Sequence, residues 1–257
     1  MRGIDCVGHT LVATIAKRLL LVLDFDGVLL NSYALIQDTM RTFGLDVGDE
    51  ERFRNRRKFL KCLGGGKELL NNLIGIALPK TRRLRERLTQ CYLDSGTVYP
   101  EFVPVINRAI ASPRIHCGVV SRNFTEHPGP TIRAVLRRSG IDEAELDFVV
   151  PIPIGAKKHD VLAGMCAASY SESLVCADEI GDYHAAVASG YTSLIGSYGF
   201  DAVDRLVLKG AVPAVCIYHT PASLADALRA RVAHYDDDDE VAPAVARVVP
   251  ARRVVAG

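Results

Sequence analysis

The chain has 257 residues, with 31 Lys plus Arg against 30 Asp plus Glu, and seven cysteines. That length can bury the core of one large domain or of a core domain carrying a smaller insertion, and the balanced charge offers neither a global positive field for nucleic acid nor the acidic excess of a disordered chain. The cysteines at 6, 62, 91, 117, 166, 176 and 216 form no C-x-x-C pair, and several lie in apolar runs such as Leu174-Val-Cys-Ala, which argues for reduced thiols and against a zinc site or disulfide frame.

Residues 1–18 read as an N-terminal extension. The apolar run Thr10 to Ala16 is short for a signal peptide and is interrupted by Lys17 and Arg18; hydrophobicity resumes at Leu19 but meets Asp24 and Asp26 too soon for a membrane span. A soluble, cytoplasmic protein is the expectation. Leu19 to Leu23 is a continuous apolar run of strand length, suited to a strand buried on both faces of a parallel sheet.

From Ser32 to about Val98 no strand is evident, and the spacing predicts helices at about 32–43, 49–62, 66–76 and 80–94. Further apolar runs follow at Ile115 to Val120, Phe148 to Val150, Leu174 to Ala177, Ser193 to Ile195 and Ala214 to Ile217. Helical spacing recurs at Pro130 to Arg138, Lys158 to Ala168, Tyr183 to Ser189, Ala202 to Leu208 and Pro221 to Val232. This alternation predicts a doubly wound, mostly parallel α/β sheet over 19–31 and 99–235, with a helical insertion over 32–98. Asp236 to Glu240 is a run of five acids, and 236–257 reads as a disordered tail.

Asp24 and Asp26 follow the first strand, where an open α/β sheet binds ligands, and Gly27 lets the chain turn away after them. On spacing alone, a pair of solvated loop acids is the alternative reading. A second acidic pair, Asp178 and Asp182, follows another apolar run, and carboxylates from two neighbouring strand ends suit a hard Mg²⁺ ion. A hydroxyl, Ser121, ends the run Cys117-Gly-Val-Val, and a lysine pair, Lys157 and Lys158, precedes the Val161-Leu162 helix.

With these residues in place, the sequence resembles the haloacid dehalogenase superfamily of phosphohydrolases over about residues 19–232. The first motif, Asp24-Phe-Asp26-Gly-Val, is the most specific; Asp178-x-x-x-Asp182, Ala185-Ala186-x-x-x-Ser-Gly190 and Ile195-Gly-Ser-Tyr-Gly199 support it. The insertion resembles the family's small helical cap over a Rossmann-like core. The run to Asn31-Ser32, Val98-Tyr-Pro and the Tyr-Gly at 198 are most similar to phosphoglycolate-phosphatase-like members.

The resemblance implies a Mg²⁺-dependent phosphomonoesterase acting on a small phosphorylated metabolite; charge balance and hydropathy give no nucleic-acid or membrane partner, and the oligomeric state is undetermined. Asp24 would be the nucleophile and Asp26 the acid and base, its backbone carbonyl also binding metal. Ser121 and a lysine would hold the phosphoryl oxygens. Asp178 and Asp182 would complete the metal site with Asp24 and Asp26. A carboxylate at 26 favours phosphoryl transfer over dehalogenation, since a halide needs no proton. A phosphomutase of the same superfamily, or an idle binding module, are the alternatives.

Three departures stand out. Arg122 intervenes between Ser121 and Asn123, and both it and Asn123 are candidate substrate contacts. Ala177 replaces a glycine before Asp178. Lys158 fits the family spacing better than Lys157. Gly64-Gly-Gly-Lys67 is no P-loop, but a glycine-rich helix start can approach an anion, which makes Lys67 a candidate substrate contact beside the plainer reading of an exposed lysine. The basic run Arg52 to Lys61 lacks interleaved stacking aromatics and reads as a solvated helix face, and the seven histidines form no ligand spacing.

Overall fold

The computed structural model describes residues 19–45, 48, 50, 81–153 and 155–236. The N-terminal extension, most of the inner insertion with Lys67 and the basic run, and the tail from 237 lie outside the described residues.

In chain order the elements are β1 (Leu19–Leu23), α1 (Ser32–Arg41), α2 (Thr81–Ser95), α3 (Phe102–Ala111), β2 (Ile115–Ser121), α4 (Pro128–Arg138), β3 (Phe148–Pro151), α5 (Lys158–Gly164), β4 (Glu172–Ala177), α6 (Ile180–Ala188), β5 (Thr192–Gly196), α7 (Val203–Leu208), β6 (Ile217–Tyr218) and α8 (Pro221–Asp236). All six strands pair in parallel, in the order β3-β2-β1-β4-β5-β6.

Alternation along the strands divides the apolar side chains between two faces. Leu19, Leu21 and Leu23 of β1 join Cys117 and Val119 of β2 and Leu174 and Cys176 of β4, under α1, α2, α3, α4 and α8. Leu20 and Val22 join Val120, Val175, Ala177 and Ile195 on the other face, under α5, α6 and α7. With helices on both faces, every residue of β1 is buried, which is why that strand reads as an unbroken apolar run. Chain connections leave β1 towards β2 over one face and β4 towards β5 over the other. The carboxyl ends of β1 and β4 therefore flank the crevice where such sheets bind ligands.

The expected fold class holds; most element ends differ by a residue or more, and three differences change an element. The run at 214–217 is a 3-10 turn over Ala214–Cys216 followed by the two-residue β6; Pro213 cannot donate to a ladder, and Val215 points to solvent at 83% exposure. The helix from Lys158 stops at Gly164, because Cys166 takes a left-handed φ of 52° that no helix continues through. Helix α8 runs to Asp236, so the first residue assigned to the disordered tail is helical. No helix among the described residues is long and apolar enough to cross a membrane.

Helix α2 is pinned to the core at both ends. The Arg85 guanidinium donates to the carbonyls of Phe124 (3.2 Å) and Thr125 (3.0 Å), and the Glu126 N–H donates to Thr89 Oγ1 (2.8 Å). At its carboxyl end Arg138 of α4 donates to the carbonyls of Tyr92 (2.9 Å), Leu93 and Gly96. These acceptors lie in or just past the last turn of α2, and a cation suits the negative end of the helix dipole. Replacing Arg138 with Ala is expected to lower unfolding stability by about 1–2 kcal/mol, roughly 3–6 °C in Tm. An unchanged urea midpoint would show the clamp to be energetically silent.

Candidate active site

Extension of the β1–β4 ladder positions the first carboxylate: the Asp24 N–H donates to the Cys176 carbonyl (2.9 Å), one step past Leu23. Asp178 follows β4 by one residue, and Asp182 lies in the first turn of α6. Ser121 is the last residue of β2, and Lys158 the first of α5. Three strand ends and two helix starts thus converge on one cavity of about 370 Å³, lined by Asp24, Asp26, Ser121, Arg122, Lys158, Asp178, Glu179 and Asp182 together with Ile36, Leu88, Tyr92 and Phe200.

The buried Lys158 ammonium bridges two carboxylates, donating to Asp24 Oδ2 (2.5 Å) and Asp182 Oδ2 (2.6 Å). Asp24 Oδ1 accepts from the Phe25 N–H (2.7 Å). Lys157, by contrast, is exposed. Asp178 is fully buried; its Oδ2 accepts from the Phe200 N–H (2.6 Å), while its Oδ1 has no hydrogen-bond partner among the described residues. Room for that carboxylate comes from two glycines. A Cβ on Gly27, whose φ is +77°, would stand 2.1 Å from Asp178 Oδ2, and one on Gly199 would stand 2.2 Å from it.

Burial pushes Asp24 up to about 8, with the Asp182 charge acting the same way and Lys158 opposing. Burial also drives Asp178 well above the carboxylate range, reinforced by Glu179 and Asp24. Asp182 feels the same burial, but Lys158 holds it below its ordinary value. Burial depresses Lys158, yet its two carboxylate partners more than offset this and raise it, so it stays charged. One ammonium serves three buried acids, so burial pushes two of them, Asp24 and Asp178, towards the protonated form, and a further cation would favour their ionised form.

Those acids suit a hard divalent cation. Asp24, Asp178 and Asp182 each offer a carboxylate oxygen, all within 4.8 Å of one another, and the orphaned Asp178 Oδ1 lacks the partner that a buried anionic oxygen needs. The donors are all oxygen, as Mg²⁺ prefers. The Asp26 carboxylate stands apart from this group. Its Oδ1 accepts from Ser32 Oγ (2.7 Å) and the Tyr92 hydroxyl, and its Oδ2 accepts from Asn123 Nδ2 (2.9 Å). Burial raises Asp26, with those three donors opposing.

The remaining expected residues are also located. Ser121 Oγ is buried at the cavity wall with no partner among the described residues. Arg122 anchors one guanidinium nitrogen on the Ala156 carbonyl (2.8 Å), and its Nε is buried and unpartnered at the same wall. Asn123 meets Asp26 and stands outside the cavity lining; Lys67 lies outside the described residues.

Tyr92 is absent from the sequence-based expectations, standing 66 residues from the carboxylate it meets. Its only sequence signal is the spacing Leu84, Leu88, Tyr92 on the buried face of α2, where a tyrosine hydroxyl needs a partner. Ser32 is quoted in the extended first motif without a role.

No family model matches the chain, and no curated protein matches it. Solved structures do. A haloacid dehalogenase-like hydrolase from Streptococcus pneumoniae is 16% identical, covering 81% of this chain and 96% of its own, with a TM-score of 0.55. A HAD family hydrolase from Deinococcus radiodurans R1, solved with bound phosphate and sodium, is 19% identical over 86% and 97%, with a TM-score of 0.57. A protein from Thermotoga maritima assigned as a beta-phosphoglucomutase is 15% identical over 82% and 98%, with a TM-score of 0.54. At these identities the likeness establishes architecture, and the chain has the fold of the haloacid dehalogenase-like hydrolases.

Proposed function

We propose that the chain is a Mg²⁺-dependent phosphomonoester hydrolase that works through an aspartyl-phosphate at Asp24. The observation that carries this reading is the Lys158 bridge: it fixes a buried carboxylate at the cavity floor between a cation that can accept phosphoryl charge and acids that can hold metal. Asp24 Oδ attacks phosphorus as the bond to the leaving oxygen breaks, and that oxygen takes the Asp26 proton. Water then attacks phosphorus and gives a proton to Asp26, and the bond from phosphorus to Asp24 breaks.

Lys158 and the unpartnered Ser121 Oγ hold the equatorial oxygens, where charge spreads in the transition state. Asp24, Asp178 and Asp182, with the Asp26 backbone carbonyl, would hold Mg²⁺, which supplies positive charge to the phosphate and keeps the nucleophile ionised. Arg122 and its buried Nε contact the substrate near the phosphate. Residues 32–98 act as a helical cap that limits entry to small phosphorylated metabolites, and Lys67 reads their far end. A cytoplasmic setting belongs to this reading, supported by the free thiols of Cys91, Cys117 and Cys176.

With a phosphomonoester panel and Mg²⁺, the native protein is expected to release inorganic phosphate and Asp24→Asn to lose at least about a thousandfold in kcat. Equal rates for the two proteins would remove the covalent mechanism; transfer to a second hydroxyl without phosphate release would point to a mutase.

Metal binding is checked separately by melting. Saturating Mg²⁺ at roughly a hundred times its Kd should stabilise by about 2.7 kcal/mol, a rise of about 5–10 °C in Tm over chelator. Asp178→Asn should abolish the rise while melting close to the native chain in chelator, because burial already holds this acid well above the usual carboxylate range and the amide oxygen can still accept from the Phe200 N–H. The chelator baseline should fall from about pH 4 to pH 8: burial raises the Asp24 carboxyl to about 8 in the fold, against its ordinary 3.8 when unfolded. The folded state therefore binds the extra proton, and its contribution is lost as pH rises through that window. A Tm indifferent to Mg²⁺ would count against the metal site.

A further inference from the structure

The Asp26 carboxylate is held by three donors from three separate elements: Ser32 at the start of α1, Tyr92 in the last turns of α2, and Asn123 in the loop after β2. Two of these donors are themselves oriented. Ser32 Oγ accepts from the Gly27 N–H (3.2 Å), which leaves its proton for Asp26; Asn123 Oδ1 accepts from the Thr125 N–H (3.1 Å) and hydroxyl, which turns its Nδ2 towards Asp26. Tyr92 is buried, with its ring stacked on Phe25 at 6.4 Å and 29°. Burial and the Asp26 charge keep its phenol protonated and able to donate.

Helix α2 is not free to carry Tyr92 away. Arg85 and Thr89 tie it to residues 124–126, next to Asn123, and Arg138 binds the Tyr92 carbonyl itself. The tyrosine and the asparagine that grip opposite oxygens of one carboxylate are thus fixed to a common frame. With two donors on Oδ1 and one on Oδ2, the open lone pair belongs to Oδ2. Resting on the hydrolase reading above, we propose that Tyr92 is a positioning residue for Asp26, locking its carboxylate so that Oδ2 is the oxygen that gives the proton to the leaving group and takes one from water. Proton transfer depends steeply on such alignment, whereas substrate binding does not.

Tyr92→Phe tests this, since it keeps the ring and its stack on Phe25 and deletes only the hydroxyl. Two probes separate the steps. The leaving group of p-nitrophenyl phosphate departs without a proton, so the variant should still form the aspartyl-phosphate and release a burst of nitrophenol, then turn over at least about tenfold more slowly per site than the native protein. Glycerol 2-phosphate needs the proton in the first step, so it should show no burst and a kcat loss at least as large, with KM within about twofold. The burst amplitude counts folded, phosphorylated sites, so partial misfolding does not mask the result. An unchanged kcat per site on both esters overturns the proposal, as does a parallel change in kcat and KM with a lowered Tm, which marks a packing role. A native protein that hydrolyses neither ester removes the hydrolase reading itself, and that failure is visible before any variant is compared.

Discussion

A single ammonium holding two buried carboxylates is the interaction on which the site depends. Taking an ion out of water costs several kcal/mol, and Asp24, Asp178 and Asp182 are all buried. Lys158 offsets part of that cost for Asp24 and Asp182 through contacts of 2.5 and 2.6 Å. Among the described residues, Asp178 receives a backbone N–H alone. The arrangement therefore stabilises the fold less than an apolar cluster of similar volume would, a cost that the proposed phosphate and cation site would account for. Stability comes from elsewhere, chiefly from the two apolar layers that cover β1 on either face.

Those layers also explain the aim of the side chains. A central strand with no exposed residue cannot slip register without exchanging its two faces, so Leu23 ends where it does and Asp24 emerges at the crevice. The same argument fixes Ser121 on β2 and Asp178 after β4. On the outer side, α2 is tied to the loop after β2 and to α4, so the wall of the cavity that includes Leu88 and Tyr92 moves with the sheet.

Much of this was legible in the sequence for identifiable reasons. Parallel strands buried on both faces must be apolar throughout, and five of the six runs correspond to strands within a few residues. Chemistry placed at strand ends sits beside those runs, so Asp24, Ser121, Asp178 and Asp182 could be picked out by adjacency. Periodicity says little where backbone conformation decides: Cys166 takes a positive φ just past α5, and the apolar run after Pro213 opens on a 3-10 turn. Tyr92 was illegible because its partner is distant in the chain and its helical spacing looks like ordinary packing. Asn123 was noticed for its neighbourhood to Ser121, yet its amide faces Asp26, a direction that strand spacing does not specify.

Gly27 and Gly199 contribute nothing polar to the site, yet each leaves a space that the Asp178 carboxylate fills. The coordinates of the anionic oxygen are thus specified by the absence of matter at two backbone positions. It follows that the centre has silent points of failure: a single methyl group at either position evicts the acid while every reactive group remains in the sequence. A chain of this architecture can keep the full set of acids, hydroxyl and lysine and still be inert, and the diagnosis would lie in its glycines.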